Sequence, residues 1–429
     1  MKVVKFGGTS LSSACNFLRC KDIALAETDR KIIVVSAPGK RFKTDSKVTD
    51  LLFLATCYHQ YGFDFTPVIK KAKKRFKEIV CGLDLAIDVD SEFDLYISSY
   101  LKDGNAHYLV SRGEYLASKI FAQLIGARFI DAKDLFIMDR LGQVDEREAL
   151  TRLEDLKIDK RVVVGGFYGA YRGKVRLFDR GGGDISGAYL AKLLHADAYE
   201  IFSDVNGIMP INPDFVKTPN HVQKLTYREM ELLDHLKAKV VNQRAVGVLS
   251  GSGVRLYIKN TFNPSCDGTE IFDGTVVENK ITAIGCDGGY ACVKLDGAGL
   301  KPNTIKGLND CLSALKIQPE VIFFADDGLS VMFKENERFN TICALNDGLK
   351  EIGFNSGVKA YCDLAVISIV GAGVRNSPEI LPKAFKVFQK NGVTPTGVFI
   401  SADGVKLSVY IEQKYAPNLV KGLYKALLK

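Results

Sequence analysis

The sequence has no tryptophan, only five histidines and no long apolar run. No stretch reaches the roughly 18 consecutive apolar residues that a membrane helix needs. The apolar stretch Val3 to Phe6 near the N-terminus is also too short for the core of a signal peptide. The histidines lack the His-x-x-x-His spacing of a common zinc site. We therefore expect a cytoplasmic protein that has no membrane partner and no metal site built from its own side chains.

The ten cysteines form no pattern either. None belongs to a Cys-x-x-Cys pair, which argues against both a zinc site and a redox dithiol. Most stand in apolar stretches, such as Val80-Cys81 and Ile342-Cys343. These surroundings predict buried, reduced thiols.

The chain carries a formal net charge of +8, but its basic and acidic residues are mixed along the sequence. The densest basic run, residues 70–77, predicts one face of a solvated helix and not a nucleic-acid surface. The surplus of positive charge suits a small substrate with several negative charges equally well. Nucleic acid is therefore not an expected partner.

A chain of 429 residues is expected to form two or three domains. Its first 265 residues or so alternate short apolar strands with amphipathic helices, which predicts an α/β domain with a mainly parallel sheet sandwiched by helices. One helix has its apolar face at Leu11, Cys15, Leu18 and Leu25, and a second runs from Asp184 to His195. The predicted strands are 3–6, 32–35, 161–165, 199–203 and 255–258.

The chain after residue 265 follows a different pattern. The turn cluster 263–268 predicts a domain boundary. A strand–helix–strand–strand unit then occurs twice, with first strands at 290–295 and 365–370 and helices at about 305–316 and 379–391. We expect a repeat of about 75 residues that forms two small α+β modules, and domains at 1–265, 266–360 and 361–429.

Two glycine-rich segments are candidates for anion binding. Lys5-Phe6-Gly7-Gly8-Thr9-Ser10 lies where a buried strand passes into a helix, so the N–H groups of Gly7 and Gly8, the helix start and the charge of Lys5 could all meet a phosphate. A plain tight turn is the alternative. In the second segment, residues 180–184, three glycines separate Arg180 from Asp184. The Arg180 guanidinium suits a carboxylate or phosphate, and Asp184 has an alternative role as a helix N-cap.

Two other glycine-rich segments only imitate nucleotide-binding motifs. Gly169 to Val175 is one residue short of a Walker A loop and has valine at the position of its magnesium-binding hydroxyl. Gly371 to Asn376 has asparagine at the third glycine of the dinucleotide fingerprint and lies outside a βαβ unit. We assign no nucleotide to either segment.

Several blocks together resemble the aspartate kinases. Lys5 to Ser10 is similar to their K-F-G-G-T-S opening, and the remaining blocks occur in the family order. These blocks are 34–40, 47–52, 111–114, 166–167, 180–184, 203–207, 237–240 and 260–264 with 268–269. The two late modules resemble the tandem ACT domains of the same family. The resemblance implies the amino acid kinase fold followed by two ferredoxin-like ACT domains that are intertwined.

The resemblance also implies the reaction and its residues. The γ-phosphoryl group of ATP, bound with Mg²⁺, would pass to the side chain of L-aspartate. The catalytic residues would be Lys5, Asp184 and Lys239. Aspartate would be bound by Ser36, Thr49, Glu114, Phe167 and Arg180. ATP would meet Lys5, Gly7, Gly8, Ser203, Asp204, Met209 and Lys239.

The chain departs from the family pattern at several positions. Gly183 replaces a serine in the substrate segment, Met209 a tyrosine, and Asp214 an arginine near the nucleotide. Asn242 and Gln243 lie where the family has a leucine and a histidine.

Regulation is implied by the ACT modules, which in this family bind an amino acid, most often L-lysine, between the subunits of a homodimer or a dimer of dimers. Asp326 and Asp327 are candidates for the lysine ammonium groups. An Asp-Gly sequence between two apolar runs also predicts a hairpin turn, and we favour the turn. The alternative functions are an amino acid kinase that acts on glutamate and a catalytically weak amino-acid sensor.

Overall fold

The computed structural model describes the chain except residues 179–180, 218–219, 234–240, 275–279, 297–301, 326–327, 335–342, 345–346, 349 and 351–357, and it leaves out the side chains of 296, 302–305, 324–325 and 358. The chain forms two compact units. The first comprises 1–208, 221–231 and 239–275, and the second comprises 209–220, 232–238 and 276–429. Among the described residues, no helix has both the length and the apolar character needed to cross a membrane.

The first unit contains ten strands and ten helices among its described residues. The strands are β1 Lys2–Phe6, β2 Arg30–Val35, β3 Arg128–Ile130, β4 Val162–Gly165, β5 Tyr168–Tyr171, β6 Lys174–Leu177, β7 Ala198–Ser203, β8 Lys224–Thr226, β9 Arg255–Asn260 and β10 Thr269–Phe272. The helices are α1 Ala14–Ala26, α2 Val48–Gln60, α3 Thr66–Gly82, α4 Val89–Asp103, α5 Ala106–Ile125, α6 Ala132–Leu135, α7 Glu146–Asp155, α8 Gly182–Leu193, α9 Tyr227–Leu232 and α10 Gln243–Leu249.

Eight of these strands form one sheet in the order β3-β4-β2-β1-β7-β9-β10-β8. All neighbours are parallel except β9 and β10, which confirms the predicted α/β class. Strand β1 lies between β2 and β7, where Phe6 pairs with Val35 on one side and Phe202 on the other. Because parallel strands end at the same edge, the segments that follow β1, β2, β4 and β7 meet there.

The predicted apolar face of the first helix is wrong. Cys15, Leu18 and Leu25 are exposed, and the buried side chains of α1 are Phe17, Cys20, Ile23 and Ala24. The reason is that Leu11 belongs to a separate 3-10 turn and α1 begins only at Ala14, where the Ser13 hydroxyl caps it. A periodicity counted from Leu11 therefore runs through two different elements.

The prediction that most cysteines are buried is also wrong. Of the ten, only Cys20 and Cys292 are buried, and none of the ten belongs to a disulfide bond. Cys81 is exposed because Val80, one position earlier in α3, faces the core and the helix then turns by about 100°. Cys343 is exposed as well.

The second unit confirms the repeated strand–helix–strand–strand order. Its elements are β11 Ala283–Asp296, α11 Pro302–Ala314, β12 Pro319–Ala325, β13 Gly328–Lys334, β14 Val358–Val370, α12 Gly373–Asn376, α13 Ile380–Lys390, β15 Gly397–Ile400, β16 Lys406–Glu412 and α14 Ala416–Leu427. The six strands form one antiparallel sheet in the order β12-β13-β11-β14-β16-β15. The long strands β11 and β14 pair along most of their length, so both modules share them.

The two edge strands of this sheet approach each other. The rings of Phe323 in β12 and Phe399 in β15 lie 5.9 Å apart, so the sheet curls strongly about its centre.

Strands β12 and β13 pair up to Ala325 and Gly328, which confirms the predicted hairpin. Asp326 and Asp327 themselves lie outside the described residues.

The three predicted domain bounds stay a prediction. In the structure, β10 at Thr269–Phe272 pairs with β8 and β9 and therefore belongs to the first sheet, beyond residue 265.

The two segments that only imitate nucleotide-binding motifs have ordinary structural roles. Gly169 to Val175 forms the β5–β6 hairpin, and Gly371 begins the connection from β14 to the short α12.

A buried ion cluster joins three strands of the first sheet. The Arg30 side chain donates to both carboxylate oxygens of Glu200, at 2.6 and 3.2 Å, and Lys259 Nζ lies 2.6 Å from Glu200 Oε1. Burial alone would raise the pKa of Glu200, but the hydrogen bonds from Arg30 and Lys259 lower it overall. Two cations thus share the Glu200 carboxylate inside the sheet, and Arg30 pairs with Glu27 as well.

Replacing Glu200 tests this cluster. We expect Glu200→Ala to destabilise the first unit by about 3–5 kcal/mol, because buried Arg30 would keep only the partly exposed Glu27 as a charged partner and Lys259 would lose Glu200. Denaturant unfolding followed by circular dichroism measures the change. Asp197→Ala, at an exposed surface pair, is the control. Equal unfolding midpoints for the two variants would contradict the assignment.

Candidate functional site

A cavity of about 210 Å³ lies at the edge of the first unit where the central parallel strands end. Ligands of open α/β sheets characteristically bind at such an edge. Its walls come from the segments that follow β1, β2 and β4 and from the starts of α2 and α8. The lining residues are Lys5, Gly8, Thr9, Ser36, Ala37, Gly39, Lys47, Thr49, Asp50, Glu114, Phe167, Gly181, Gly182 and Gly183.

The first wall is the turn after β1. The Gly7 N–H donates to Phe202 O at 3.0 Å, so this group is committed to the neighbouring strand and not to an anion. The N–H groups of Gly8 and Thr9 make no hydrogen bond to another described residue. The helix that begins here is a short 3-10 helix, Thr9–Leu11, with Gly8 as its N-cap, and α1 starts only at Ala14. Positive potential here comes from Lys5 and from local N–H groups.

Two glycines make close backbone contact in this wall. The Gly39 N–H donates to Gly8 O at 2.7 Å. A Cβ on Gly39 would lie 2.5 Å from the Gly8 carbonyl carbon, which no side chain could tolerate. The contact therefore requires glycine at position 39 and sets the shape of the Gly8 turn.

The second wall is the start of α8, a helix of 12 residues. Gly181 has a φ of +86°, which favours glycine, and Gly182 and Gly183 follow in the first turn. Their N–H groups belong to the positive end of the helix, which faces the cavity. Because Gly181 is the N-cap residue, the alternative of Asp184 as N-cap is wrong.

Asp184 instead joins the two walls. Its Oδ1 lies 2.7 Å from Lys5 Nζ, with side chains only 10% and 12% exposed. Its Oδ2 accepts a hydrogen bond from the Asn242 N–H at 3.1 Å. Burial makes this ion pair sensitive to geometry, because a lysine without a partner would be costly there. Asp184 thus holds Lys5 at the cavity.

Glu114 lies on the opposite side of the cavity, in α5. It is buried, and Thr49 Oγ1 donates to its Oε1 at 3.2 Å. Its Oε2 is also buried and has no hydrogen-bond partner among the described residues. Burial raises the pKa of Glu114 to about 7, against smaller lowering effects that include the Ala37 N–H and Thr49. A buried carboxylate oxygen without a donor suits a cationic ligand group.

Phe167 contributes a strained backbone between Glu114 and α8. Its φ is +82°, which is rare for a bulky residue. The Ser186 hydroxyl accepts from the Phe167 N–H at 3.0 Å, and the Phe167 carbonyl accepts from the Phe178 N–H at 2.8 Å. Such strain persists where the surrounding structure enforces it, and it is concentrated at binding sites.

The strand ends beside this cavity carry the residues predicted for the nucleotide. Ser203 ends β7, and its hydroxyl is buried without a partner among the described residues. Asp204 follows and is exposed. Asn260 Nδ2 donates to Asn206 Oδ1 at 2.7 Å and ties the end of β9 to the same loop. None of these residues lines the cavity.

The structure therefore brings together most of the predicted site. Lys5, Gly8, Ser36, Thr49, Glu114 and Phe167 line one cavity, and Asp184 contacts it through Lys5. Gly7 supports the wall without lining it. Met209 lies in the second unit. Arg180, Lys239, Asp326 and Asp327 lie outside the described residues.

The cavity also contains residues that were not predicted. Gly39, Lys47 and Asp50 line it, and Asn242 orients Asp184. The first three belong to blocks already noted for the family resemblance, so proximity to Ser36 and Thr49 was the available signal. Asn242 carried no such signal, because its contribution is a backbone N–H. Among the described residues, no group of three or more histidine, cysteine, aspartate or glutamate side chains could hold a metal ion.

Comparison with known proteins adds independent findings. The family model described as the amino acid kinase family matches residues 1–260. Aspartokinase 3 of Bacillus subtilis is 32% identical over 314 residues, which are 68% of this chain and 68% of that protein. The crystal structure of Clostridium acetobutylicum aspartate kinase matches with a TM-score of 0.93 and 28% identity, covering 100% of both chains. The crystal structure of Escherichia coli aspartokinase III in complex with aspartate and ADP matches with a TM-score of 0.76 and 18% identity over 100% of both chains, which is a similarity of fold alone.

The pKa of Glu114 gives a test that needs no substrate. A carboxyl whose pKa is raised by folding costs stability as the pH rises from about 4.5 to about 7, and the cost then stays constant. We expect Glu114→Gln to unfold at higher denaturant concentration than the parent at pH 8, by about 3 kcal/mol, with the difference vanishing towards pH 4. Glu154→Gln, on the exposed side of α7, is the control. A difference independent of pH would contradict the burial of an ionisable Glu114.

Proposed function

The chain belongs to the amino acid kinase family and, within it, to the aspartate kinases, and we propose that it transfers the γ-phosphoryl group of ATP to the side-chain carboxylate of L-aspartate. The product would be 4-phospho-L-aspartate, at the first step of lysine, threonine and methionine biosynthesis. The observation that carries the proposal is the cavity with the Lys5–Asp184 pair on one side and the buried carboxylate of Glu114 on the other.

The chemical difficulty of this reaction is electrostatic. The aspartate carboxylate is ionised at neutral pH, so it needs no general base. It must approach a polyphosphate, and two unit charges 4 Å apart repel by about 1 kcal/mol in water and by about 4 kcal/mol at a partly buried dielectric. Catalysis therefore depends on positive groups held in place before the reaction.

This chain supplies such groups from two directions. Lys5, fixed by Asp184, faces the cavity together with the N–H groups of Gly8 and Thr9. The first turn of α8 faces it from the other side. As a carboxylate oxygen of aspartate bonds to the γ-phosphorus, the bond to the bridging oxygen breaks and ADP leaves. Lys5 and Lys239 would stabilise the charge on the transferred oxygens.

The aspartate would lie between Glu114 and α8. The partner-free Oε2 of Glu114 matches its ammonium group, and Thr49 orients Glu114. Ser36, Phe167 and Arg180 would contact the carboxylates of aspartate, with Arg180 as the guanidinium that pairs with one of them. The ammonium group would donate to this buried oxygen, and its charge would favour the ionised form of Glu114.

The nucleotide would extend along the ends of β7 and β9. The buried Ser203 hydroxyl and the exposed Asp204 suit its ribose and adenine end. Met209 is proposed as a nucleotide contact from the family resemblance alone. Mg²⁺ would enter bound to the ATP phosphates, where it neutralises charge on the transferred group. The predicted cytoplasmic location belongs to this proposal, and ten cysteines outside any disulfide bond are consistent with it.

The substrate assignment is tested by a coupled assay of ADP release with aspartate and with glutamate. We expect turnover with aspartate, and Lys5→Ala should reduce kcat by orders of magnitude while leaving the fold intact, because it removes the cation at the transferred group. Turnover on glutamate alone would contradict the substrate. Lysine binding without any aspartate-dependent turnover would instead support the amino-acid sensor.

Regulation is part of the same proposal. The curled antiparallel sheet of the second unit, with two strand–helix–strand–strand modules, suits paired ACT domains that bind an amino acid. L-lysine would bind there, with Asp326 and Asp327 as candidate partners of its ammonium groups. Pairing of these modules between chains would produce a homodimer or a dimer of dimers.

Effector binding is tested by the aspartate kinase assay with millimolar lysine or threonine. We expect lysine to inhibit and threonine to have little effect. Asp326→Asn with Asp327→Asn decides between the two roles of these residues: weaker inhibition at unchanged basal turnover would mean that their charges meet lysine. Inhibition by threonine alone would contradict the choice of effector, and unaltered lysine inhibition in the double variant would leave these residues as turn residues only.

A further inference from the structure

Helix α3 carries the densest basic run of the sequence, and one member of that run is not on the solvated face. Arg75 is buried, whereas Lys70, Lys71 and Lys74 are exposed. Burial of a guanidinium is costly unless several of its donors are satisfied. Solvation of the helix therefore does not explain Arg75.

The two arms of Arg75 bind a single loop, residues 38–47. Nη1 donates to the carbonyl oxygen of Gly39 at 2.9 Å, and Nη2 donates to Asp45 Oδ2 at 2.5 Å. The same Asp45 oxygen accepts from the N–H and the Nε of Arg41, at 3.0 and 2.9 Å. The loop is thus tied to α3 near its start and near its end.

Asp45 stays ionised in this network. Burial alone would raise the pKa of Asp45, but the hydrogen bonds from Arg41 and Ser46 and the charge of Arg75 lower it well below its usual range. Arg75 therefore faces a full negative charge, which gives its bonds charge-assisted strength.

The other side of the loop faces the cavity. The Gly39 N–H donates to Gly8 O at 2.7 Å, and the Val48 N–H closes the loop on Pro38 O at 3.0 Å. Gly39 and Lys47 line the cavity, as does Gly8. Gly39 is therefore bound on both sides: its carbonyl oxygen accepts from Arg75, and its N–H donates to Gly8 in the turn after β1.

We propose that Arg75 is a positioning residue for phosphoryl transfer, whose guanidinium fork bridges Gly39 and Asp45 and thereby sets the Gly8–Gly39 wall and the Lys47 end of the loop. The inference rests on the proposed kinase function. A lysine ammonium carries its donors on a single nitrogen, whereas Arg75 reaches its two acceptors from separate nitrogens, so the fork geometry of arginine matches this pair of acceptors. Misplacement of a reacting group by about 1 Å can cost on the order of a hundredfold in rate.

The test compares Arg75→Ala, Arg75→Lys and Lys74→Ala in the full-length protein. Lys74 is the matched control, because it neighbours Arg75 in α3 and its side chain is 79% exposed. For each variant, kcat, the KM for ATP and the KM for aspartate are measured with and without millimolar guanidinium chloride. Thermal unfolding and hydrogen exchange at the amides of Gly39 and Val48 are measured in parallel.

We expect Arg75→Ala to lose about tenfold or more in kcat, with a smaller change in the KM for aspartate, because the wall that moves faces the phosphoryl group. Added guanidinium should restore part of kcat, Arg75→Lys should be intermediate, and Lys74→Ala should resemble the parent. The Gly39 and Val48 amides should exchange faster in Arg75→Ala. If this variant does not fold, Asp45→Asn, which removes the charge on the loop side, should show the same kcat loss and faster exchange.

Parental kcat in folded Arg75→Ala, or unchanged exchange at Gly39 and Val48, would overturn the proposal. A kcat loss that guanidinium leaves untouched and that Arg75→Lys shares in full would also overturn it. If the parent protein itself shows no aspartate kinase turnover, the proposed function fails, and hydrogen exchange still decides whether Arg75 orders the loop.

Discussion

The parallel pairing of β1 between β2 and β7 is the constraint on which the site depends. It places Phe6 beside Val35 and Phe202, so the chain segments that follow the three strands leave the sheet at one edge. Side chains far apart in sequence, such as Lys5 and Ser36, then line one cavity. The pairing is stabilised by burial of both faces of these strands, and the aromatic contact of Phe6 with Phe202 at 5.5 Å anchors the carboxyl end.

Charge burial is the second constraint, and the molecule handles it differently in three places. At Glu200, two cations neutralise one carboxylate, and the cluster is closed. At Asp45, Arg41 and Arg75 pair with one carboxylate and order the loop of residues 38–47. At Glu114, one oxygen is left without a donor among the described residues, and burial raises the pKa towards neutrality. Of the three carboxylates, Glu114 is the one that lines the cavity, and a missing donor there is typical of a site in which a ligand supplies the hydrogen bond.

The second unit shows how one sheet can be built from two modules. Strands β11 and β14 pair along most of their length, and one buried cluster that includes Tyr290, Met332, Val366 and Tyr410 spans both modules. The curl that brings Phe323 to Phe399 lets the inner face of the sheet bury Tyr290 and Tyr410. An effector that changed this curvature would act on both modules at once.

The sequence alone determined the α/β class, the repeated late module and most of the cavity. Buried parallel strands appear as continuous apolar runs, and glycine-rich segments after them indicate where backbone must approach a ligand. It misjudged the buried face of α1 and the element that follows Gly8, because periodicity carries no information on where one helix ends and the next begins. It misjudged the exposure of Cys81, because an apolar neighbour in a helix does not tell which way the next side chain faces. Only the tertiary structure revealed that Arg75 holds Gly39 and that a backbone N–H of Asn242 orients Asp184. Both depend on contacts between segments distant in sequence, and neither leaves a local pattern.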